Sequence, residues 1–180
     1  TLFQAAADAI FINNLEGRLL EVNEEACRLL GFTRDELLNL TVSDVTSPEY
    51  VARRAEILEQ LRATGHLVFE TELVTRDGRI IPTECSSRLM DLRGRPAVLS
   101  ISRDITERKV AEEALKESLA RTTEVQYGTI EALATVTEAR DPYTAGHQRR
   151  VTQLACAVAL ELGLSGDRVA GLRVMGLLHD

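Results

Sequence analysis

The chain has 180 residues, of which 44% are hydrophobic and 27% are charged, and its net charge is −7 at pH 7. An acidic chain without a long basic block argues against nucleic acid as the main partner. Its apolar runs are far shorter than the roughly 18 residues of a membrane helix, so no membrane segment is expected. The three cysteines form no CxxC motif, which predicts reduced thiols and a cytoplasmic protein.

The chain begins with a predicted β-hairpin and a short helix. Residues 9–14 and 18–23 are apolar and rich in β-branched residues, and the turn "LEG" separates them, so they predict two antiparallel strands. A short helix is expected over residues 24–32. Gly31 is placed to end it, because glycine adopts the left-handed conformation that closes many helices.

Two further helices are predicted before residue 66. Thr33 and Glu36 have the spacing of a capping box, which predicts a second short helix. A longer helix is expected over residues 47–65, where Ser47 is in the capping position and Pro48 in the first helical position. Its predicted apolar stripe consists of Val51, Ala55, Leu58 and Leu61.

Three strands are predicted next. Residues 66–76 and 79–91 flank the dipeptide "DG" at 77–78, which is the strongest short-range signal for a β-hairpin. Residues 95–105 follow a second tight turn at "RG". The order of two strands, several short helices and three antiparallel strands predicts an α+β domain with a five-stranded antiparallel sheet.

A long helix is predicted over residues 106–140, which contain no proline and one glycine. Ten positions between 105 and 136 alternate in steps of three and four, as in a coiled-coil seam. This seam predicts a homodimer through residues 105–136, although its middle is polar. A single helix packed on its own domain is the alternative. The seam positions are Ile105, Arg108, Glu112, Leu115, Leu119, Thr122, Gln126, Thr129, Leu133 and Val136.

The last forty residues predict two amphipathic helices. Pro142 breaks the long helix, and Gly163 ends the helix that follows. His147 lies in step with the apolar stripe of that helix, so it is expected to face the core. The predicted stripe consists of Val151, Leu154, Ala155, Val158 and Leu162.

The first hundred residues resemble the PAS family of sensory domains. The resemblance is carried by "DAIFINNLEGRLLEVNEEACRLLGFTRDEL" and by "SRDITERK", and it spans about residues 1–106. Asp104 and Thr106 belong to the family's Asp-Ile-Thr ending, which implies a role in signal coupling where the last strand meets the helix. Asp104 is also expected to cap that helix, with Glu107 reaching back as in a capping box.

The PAS resemblance leaves the ligand of the domain unknown. Haem-binding oxygen sensors of the family use a histidine on the long helix, and Arg54 falls at that position. Flavin photoreceptors carry a reactive cysteine after the segment "GFTRDEL", and Val42 falls there. Haem and a flavin adduct are therefore not expected, and a packed interior without a ligand is an alternative.

The last fifty residues resemble the opening of an HD-GYP domain, a family of metal-dependent phosphodiesterases that hydrolyse cyclic di-GMP. The signature "RDPYTAGHQRRV" and its spacing to "LLHD" carry the resemblance, which covers about residues 128–180. It implies a site for a divalent metal (Fe, Mn or Zn), ions that imidazole and carboxylate ligands suit. The implied metal ligands are His147, His179 and Asp180.

The later motifs of the HD-GYP family are absent from the 180 residues. They comprise a lysine shortly after the His-Asp pair, further histidines, the Gly-Tyr-Pro loop and a final aspartate. Because three ligands make an open site and two metals need more, this fragment by itself is expected to be inactive.

Together these features predict a PAS sensory domain over residues 1–106, a signalling helix over 107–140 and the start of an HD-GYP domain over 141–180. The expected function is the sensory and coupling part of a cyclic di-GMP phosphodiesterase. One alternative is a PAS module that serves only dimerisation or partner binding. Another is an HD-type hydrolase that acts on a different nucleotide.

Overall fold

The computed structural model describes residues 2–140 and 146–178. The chain forms two compact units, residues 1–112 and 113–180. The first unit is a five-stranded antiparallel sheet with the order β2-β1-β5-β4-β3. The strands are β1 (Ala9–Asn14), β2 (Leu19–Val22), β3 (His66–Val74), β4 (Ile80–Leu92) and β5 (Arg95–Asp104). The predicted α+β architecture of this part of the chain is confirmed.

Three helices lie between β2 and β3, and a 3-10 helix at Val42–Asp44 precedes the third of them. They are α1 (Glu24–Leu30), α2 (Arg34–Leu38) and α3 (Pro48–Thr64). The helix α4 (Thr106–Arg140) follows the sheet, as predicted, and the second unit continues with α5 (His147–Glu161) and α6 (Gly166–Leu178). None of the helices in the described ranges has both the length and the apolar character needed to span a membrane.

Local sequence signals explain the ends of the short helices. Thr33 accepts a hydrogen bond from the Glu36 N–H, and the Glu36 carboxylate accepts one from the Thr33 N–H, so the predicted capping box is confirmed. Gly31 closes α1 in the left-handed conformation, with φ of 75°. The buried Asn23 caps the start of α1, and its side-chain oxygen also accepts from the Ile10 N–H.

The two predicted hairpin turns connect β3 to β4 and β4 to β5. Gly78 has a φ of 82°, which the dipeptide Asp-Gly accommodates easily. At the second turn Arg93 and Gly94 both have positive φ values, 56° and 79°, as a tight hairpin of primed type requires. Arg93 is the only described non-glycine residue with a positive φ.

The helix α3 buries only part of the predicted stripe, since Leu61 is buried and Leu58 is half-buried, as predicted. Its buried residues are Ile57 and Leu61, whereas Val51 and Ala55 of the predicted stripe are exposed. Ser47 takes the capping position but makes no side-chain capping bond. The helix contacts β3 and β4, so the position of the sheet decides which side chains of α3 are buried.

The second unit also buries a face that the apolar pattern did not predict. On α5 the buried residues are Thr152, Cys156 and Ala159, whereas Leu154 and Val158 are 69% and 49% exposed. The small residues allow α6 to approach closely, since a Cβ on Gly176 would lie 3.0 Å from the Cβ of Thr152. His147 is exposed, so the prediction that it faces the core is wrong.

Candidate functional site

The inner face of the sheet, which packs toward α3, carries a cluster of hydroxyl and thiol groups. Ser87 and Ser100 lie opposite each other on β4 and β5, and their Oγ atoms are 2.9 Å apart. The Cys85 Sγ lies 3.4 Å from the Ser87 Oγ. Burial raises the pKa of the Cys85 thiol, which keeps it neutral near pH 7. These three side chains therefore form a neutral hydrogen-bonding cluster within an apolar core.

Two small cavities lie against this inner face. One has a volume of about 30 Å³ and is bounded by Asn13, Leu15, Tyr50, Arg54, Ile57, Leu58, Leu61, Ser87, Val98 and Ser100. The other has a volume of about 20 Å³ and is bounded by Phe11, Val42, Val45, Thr46, Tyr50, Thr71, Leu73, Cys85, Ser100 and Ser102. Each has room for a group about the size of a water molecule.

Tyr50 on α3 contributes to both cavities and to a third space at the edge of the sheet. Its ring stacks on Phe69, with centroids 6.0 Å apart and planes 16° apart. Both rings also line a cleft of about 210 Å³ that contains Ile105 and Lys109. Burial raises the pKa of the Tyr50 phenol, so the hydroxyl stays protonated at neutral pH.

The residues at the family's haem and flavin positions both border the interior. Arg54 lies in the wall of the larger cavity, and its Nη2 donates a 2.8 Å hydrogen bond to the Leu15 carbonyl. Val42 starts the 3-10 helix and lines the smaller cavity. That neither haem nor a flavin adduct binds here stays a prediction.

The junction between β5 and α4 is held by backbone bonds and a buried side chain. Ile105 is buried, and its N–H donates to the Pro82 carbonyl on β4 at 3.0 Å. The Asp104 carboxylate accepts a 2.7 Å bond from the Thr106 N–H. Strand and helix are thus joined through a single residue.

The capping box predicted for Asp104 and Glu107 is absent from the described hydrogen bonds. Ile105 takes the capping position, because its carbonyl accepts the first helical bond from the Lys109 N–H at 2.9 Å. Glu107 is therefore one position too early in the helix to reach back. Asp104 instead closes a local side-chain turn by accepting the hydrogen bond from the Thr106 N–H. Its role in signal coupling stays a prediction.

A charged clamp ties the first turn of α4 to β3. The Glu70 carboxylate accepts hydrogen bonds from Arg108 at 2.7 Å and from Lys109 at 2.5 Å. The bond from Lys109, with a smaller contribution from Arg108, lowers the pKa of Glu70 below its ordinary value. We call Glu70, Arg108 and Lys109 the helix clamp.

Sequence reasoning missed the helix clamp. The signal in the sequence is the pair of adjacent basic residues at 108–109, just inside a predicted helix, which favours an acidic partner nearby. Several glutamates lie on the strands β3 and β4, and only Glu70 among the described residues pairs with both Arg108 and Lys109.

The implied metal ligands lie at the far end of the chain. His147 is the first residue of α5, whereas His179 and Asp180 lie outside the described residues. Within the described ranges, no three His, Cys, Asp or Glu side chains come together as a metal site would require. The three-residue metal site therefore stays a prediction.

The comparison with protein families identifies the first unit. The model of the PAS domain family matches residues 7–107, which is more than half of the chain. The chain therefore belongs to the PAS domain family. The matched range contains the whole sheet and the cavities against its inner face.

Individual relatives are sensor proteins. A methyl sulfide methyltransferase-associated sensor of Methanosarcina acetivorans is 36% identical over 115 residues, and the sensor histidine kinase TmoS of Ectopseudomonas mendocina is 29% identical over 120 residues. These matches cover 63% and 64% of this chain but only 12% of each relative. The chain therefore matches only about an eighth of the length of these relatives.

A solved structure of similar fold is a domain of a sensory box sensor histidine kinase/response regulator from Geobacter sulfurreducens. It is 34% identical, with a TM-score of 0.50, and the match covers 57% of this chain and 88% of that domain. This similarity supports the PAS fold of the first unit.

Proposed function

We propose that this chain is the sensory and coupling part of a cytoplasmic, metal-dependent cyclic di-GMP phosphodiesterase of the HD-GYP family. The observation that carries the proposal is the order of its parts. A PAS sheet passes through Ile105 into the 35-residue helix α4, and the signature "RDPYTAGHQRRV" follows directly. In this proposal a sensor, a helical connection and the beginning of a catalytic domain follow one another in one chain.

In this proposal the PAS interior receives a signal and α4 carries it onward. The helix clamp and Ile105 make the first turn of α4 respond to movements of β3 and β4. Beyond this turn the seam positions Leu115, Leu119, Leu133 and Val136 are exposed, which favours pairing with α4 of a second chain. A change at the sheet would then alter the register or spacing of two paired helices.

The metal site of the proposed enzyme would be built around His147, His179 and Asp180. Two imidazoles and one carboxylate suit Fe, Mn or Zn. When bound, such a metal lowers the pKa of water and supplies the hydroxide for attack on a phosphodiester. The chain's own contribution is to provide two neutral nitrogen ligands and one anionic oxygen ligand.

The test is hydrolysis of cyclic di-GMP by a protein in which this chain is followed by the rest of an HD-GYP domain. With Mn²⁺ or Fe²⁺, we expect conversion to linear product, abolished by His147→Ala or Asp180→Ala. His66→Ala is the matched control, because His66 lies on β3 and contacts Ser86. Hydrolysis that survives both ligand substitutions would contradict the proposed metal site.

Histidine kinase activity is a second candidate function for the whole protein, because one relative is named a sensor histidine kinase. The same protein incubated with labelled ATP distinguishes the two, because a kinase would acquire phosphate on a histidine. Hydrolysis of another cyclic nucleotide but not of cyclic di-GMP would favour a different HD-type hydrolase. A protein without either activity would favour a dimerisation or partner-binding module.

A further inference from the structure

The cleft beside β3 lies at the edge of the sheet, outside the two cavities of the interior, where three elements meet. It is bounded by the N-terminal part of α3, by the edge strand β3 with β4, and by the start of α4. Its volume of about 210 Å³ corresponds to the share of about seven water molecules in the liquid, so it has room for a small molecule. A ligand in this cleft would touch the sheet and α4 at once.

The lining of the cleft carries an excess of negative charge. It includes three carboxylates and two cationic side chains, so one negative charge is left over at pH 7. Lys109 is bound to Glu70 within the helix clamp. In the described part of the chain, by contrast, the carboxylates of Glu49 and Glu72 take part in no hydrogen bond or ion pair. The cleft is therefore complementary to a ligand with a single positive charge.

The rest of the lining favours an organic cation over a metal ion. The stacked rings of Tyr50 and Phe69 contribute aromatic surface, and the buried side chains of Ile57 and Ile105 contribute aliphatic surface. Aromatic rings attract ammonium groups, and an alkyl chain gains from burial against apolar side chains. A metal ion gains nothing from such contacts, and within the described ranges no three His, Cys, Asp or Glu side chains are grouped to hold one.

We propose that the cleft binds a small organic cation, whose ammonium group lies between Glu49 and Glu72 and whose apolar part packs against Tyr50 and Phe69. The volume of the cleft admits a primary alkylammonium ion of roughly four to six carbon atoms. Such a ligand would be a second input to the protein besides the PAS interior. This use of the site rests on the sensory role proposed above, whereas binding itself does not depend on it.

A bound ammonium group would act on the helix clamp through its charge. The Lys109 side chain lines the cleft and donates to the Glu70 carboxylate, so the ligand brings a second cation beside an existing ion pair. The two cations repel each other and compete for the carboxylates of β3. Binding should therefore loosen the bond from Lys109 and alter the first turn of α4, which the buried Ile105 keeps attached to the sheet.

The binding test uses the 180-residue chain titrated with n-butylammonium chloride at pH 7, with sodium chloride keeping the ionic strength constant. Butan-1-ol is the neutral probe of the same length, and calcium chloride tests for a metal. We expect butylammonium to raise the melting temperature with saturation below about 10 mM, and the other two to have no saturable effect. An equal effect of the alcohol, saturation by calcium instead, or no saturable effect of the amine would overturn the proposal.

Substitutions of the two carboxylates locate the site. Glu49→Gln and Glu72→Gln should each weaken butylammonium binding by about fivefold or more, because each removes a charge-assisted contact and keeps the shape of the side chain. Glu59→Gln on α3 and Glu84→Gln on β4 are the matched controls outside the cleft, and they should bind normally. If one carboxylate variant fails to fold, the other decides. Unchanged affinity in a folded carboxylate variant would overturn the proposal.

Arg53→Gln tests the sign of the charge that draws the ligand. Arg53 is the other cation of the lining, and its Nε lies 3.9 Å from the Glu56 carboxylate. Removal of this cation makes the cleft more negative, so butylammonium should bind severalfold more tightly. Weaker or unchanged binding would overturn the electrostatic basis of the proposal.

Amide hydrogen exchange separates the ligand from the output. Bound butylammonium should speed the exchange at Lys109 in the wild type. Binding without this change would leave the cation site in place and overturn its link to α4. Absence of butylammonium binding together with regulated hydrolysis of cyclic di-GMP in a complete protein would overturn the site and leave the proposed function standing.

Discussion

Single residues at the junction of sheet and helix perform separate tasks. Ile105 anchors the chain through its buried side chain and its bond to Pro82. Asp104 satisfies the Thr106 N–H at the exposed start of α4, and Glu70 holds the first turn from the side. Substitution of each residue should therefore produce a different defect.

Asp104→Ala should destabilise the start of α4 and leave the sheet folded. Loss of a side-chain acceptor at a helix start costs about 1 kcal/mol, which is a small part of the roughly 5–15 kcal/mol that stabilises a domain. Asp104→Asn keeps an acceptor oxygen and is the control. Thermal unfolding of both variants checks this, and a collapsed fold in Asp104→Ala would show that Asp104 is structural.

In a complete regulated protein, Asp104→Ala should change the output or its response to signal. A difference of about 1 kcal/mol shifts the ratio of two helix arrangements about fivefold. If the variant is folded and its activity and response remain at the wild-type level, Asp104 has no role in signal coupling.

Glu70→Gln should release the first turn of α4 with little change in the melting temperature. The contacts of Glu70 are exposed, so the effect should be local faster amide exchange at Arg108 and Lys109. Glu72→Gln is the control, because Glu72 lies two residues along the same strand and belongs to no described ion pair. Equal exchange in both variants would contradict the clamp.

Acid should release the helix clamp in the wild type. The folded pKa of Glu70 is lowered, so the clamp contributes stability above the unfolded pKa of about 4.3 and loses it as the pH falls through the folded value. In an NMR experiment, protonation of the Glu70 carboxyl and the rise in the amide exchange rate at Lys109 should occur over the same pH range. In Glu70→Gln this acid step should disappear.

At the scale of elements, the helix α4 differs from the pair formed by α5 and α6 in how much apolar surface it exposes. In α4 the leucines of the seam are exposed, whereas α5 and α6 pack closely through small residues. The first arrangement predicts association with another chain, and the second predicts sensitivity to added volume.

Leu115→Asp combined with Leu119→Asp should shift the chain from dimer to monomer. These side chains are 61% and 59% exposed, and each buried leucine would contribute about 2 kcal/mol to a dimer. Val110→Asp combined with Val125→Asp is the control, since both valines are equally exposed but lie outside the seam. Sedimentation velocity measures the mass, and a monomeric wild type would disprove the seam.

Gly176→Ala should destabilise the pair formed by α5 and α6. The added Cβ would collide with Thr152 Oγ1 and lie 3.0 Å from Thr152 Cβ, and such overpacking costs about 1–3 kcal/mol. Gly171→Ala, with nothing within 4 Å, should instead stabilise α6 slightly. Chemical unfolding of the two variants should therefore shift in opposite directions.

At the scale of the whole molecule, the chain consists of two compact units. The first contains the complete sheet, the inner cavities and the helix clamp. Residues 1–112 alone should therefore fold and keep the hydrogen bond from Ile105 to Pro82. Circular dichroism and amide exchange test this, and an unfolded fragment would show that the sheet depends on the rest of the chain.

Local signals in the sequence were sufficient for the secondary structure. Turns at "DG" and "RG", the Thr33 capping box and Gly31 act within a few residues, so their neighbours in sequence decide the outcome. The PAS fold also followed from the order of these elements and from motifs at both ends of the domain. The strands and helices agree closely with this prediction.

The tertiary structure decided which faces are buried and which distant groups meet. The stripe predicted for α5 was wrong, and the one predicted for α3 held only at Leu58 and Leu61. The packing partner selects the buried face, and on α5 the small residues Thr152 and Cys156 favour close approach. The partner of Arg108 and Lys109 depended on strand register, and the position of Arg54 at a cavity depended on how α3 crosses the sheet. Contacts between residues far apart in sequence require the relative placement of whole elements, and local patterns do not contain it.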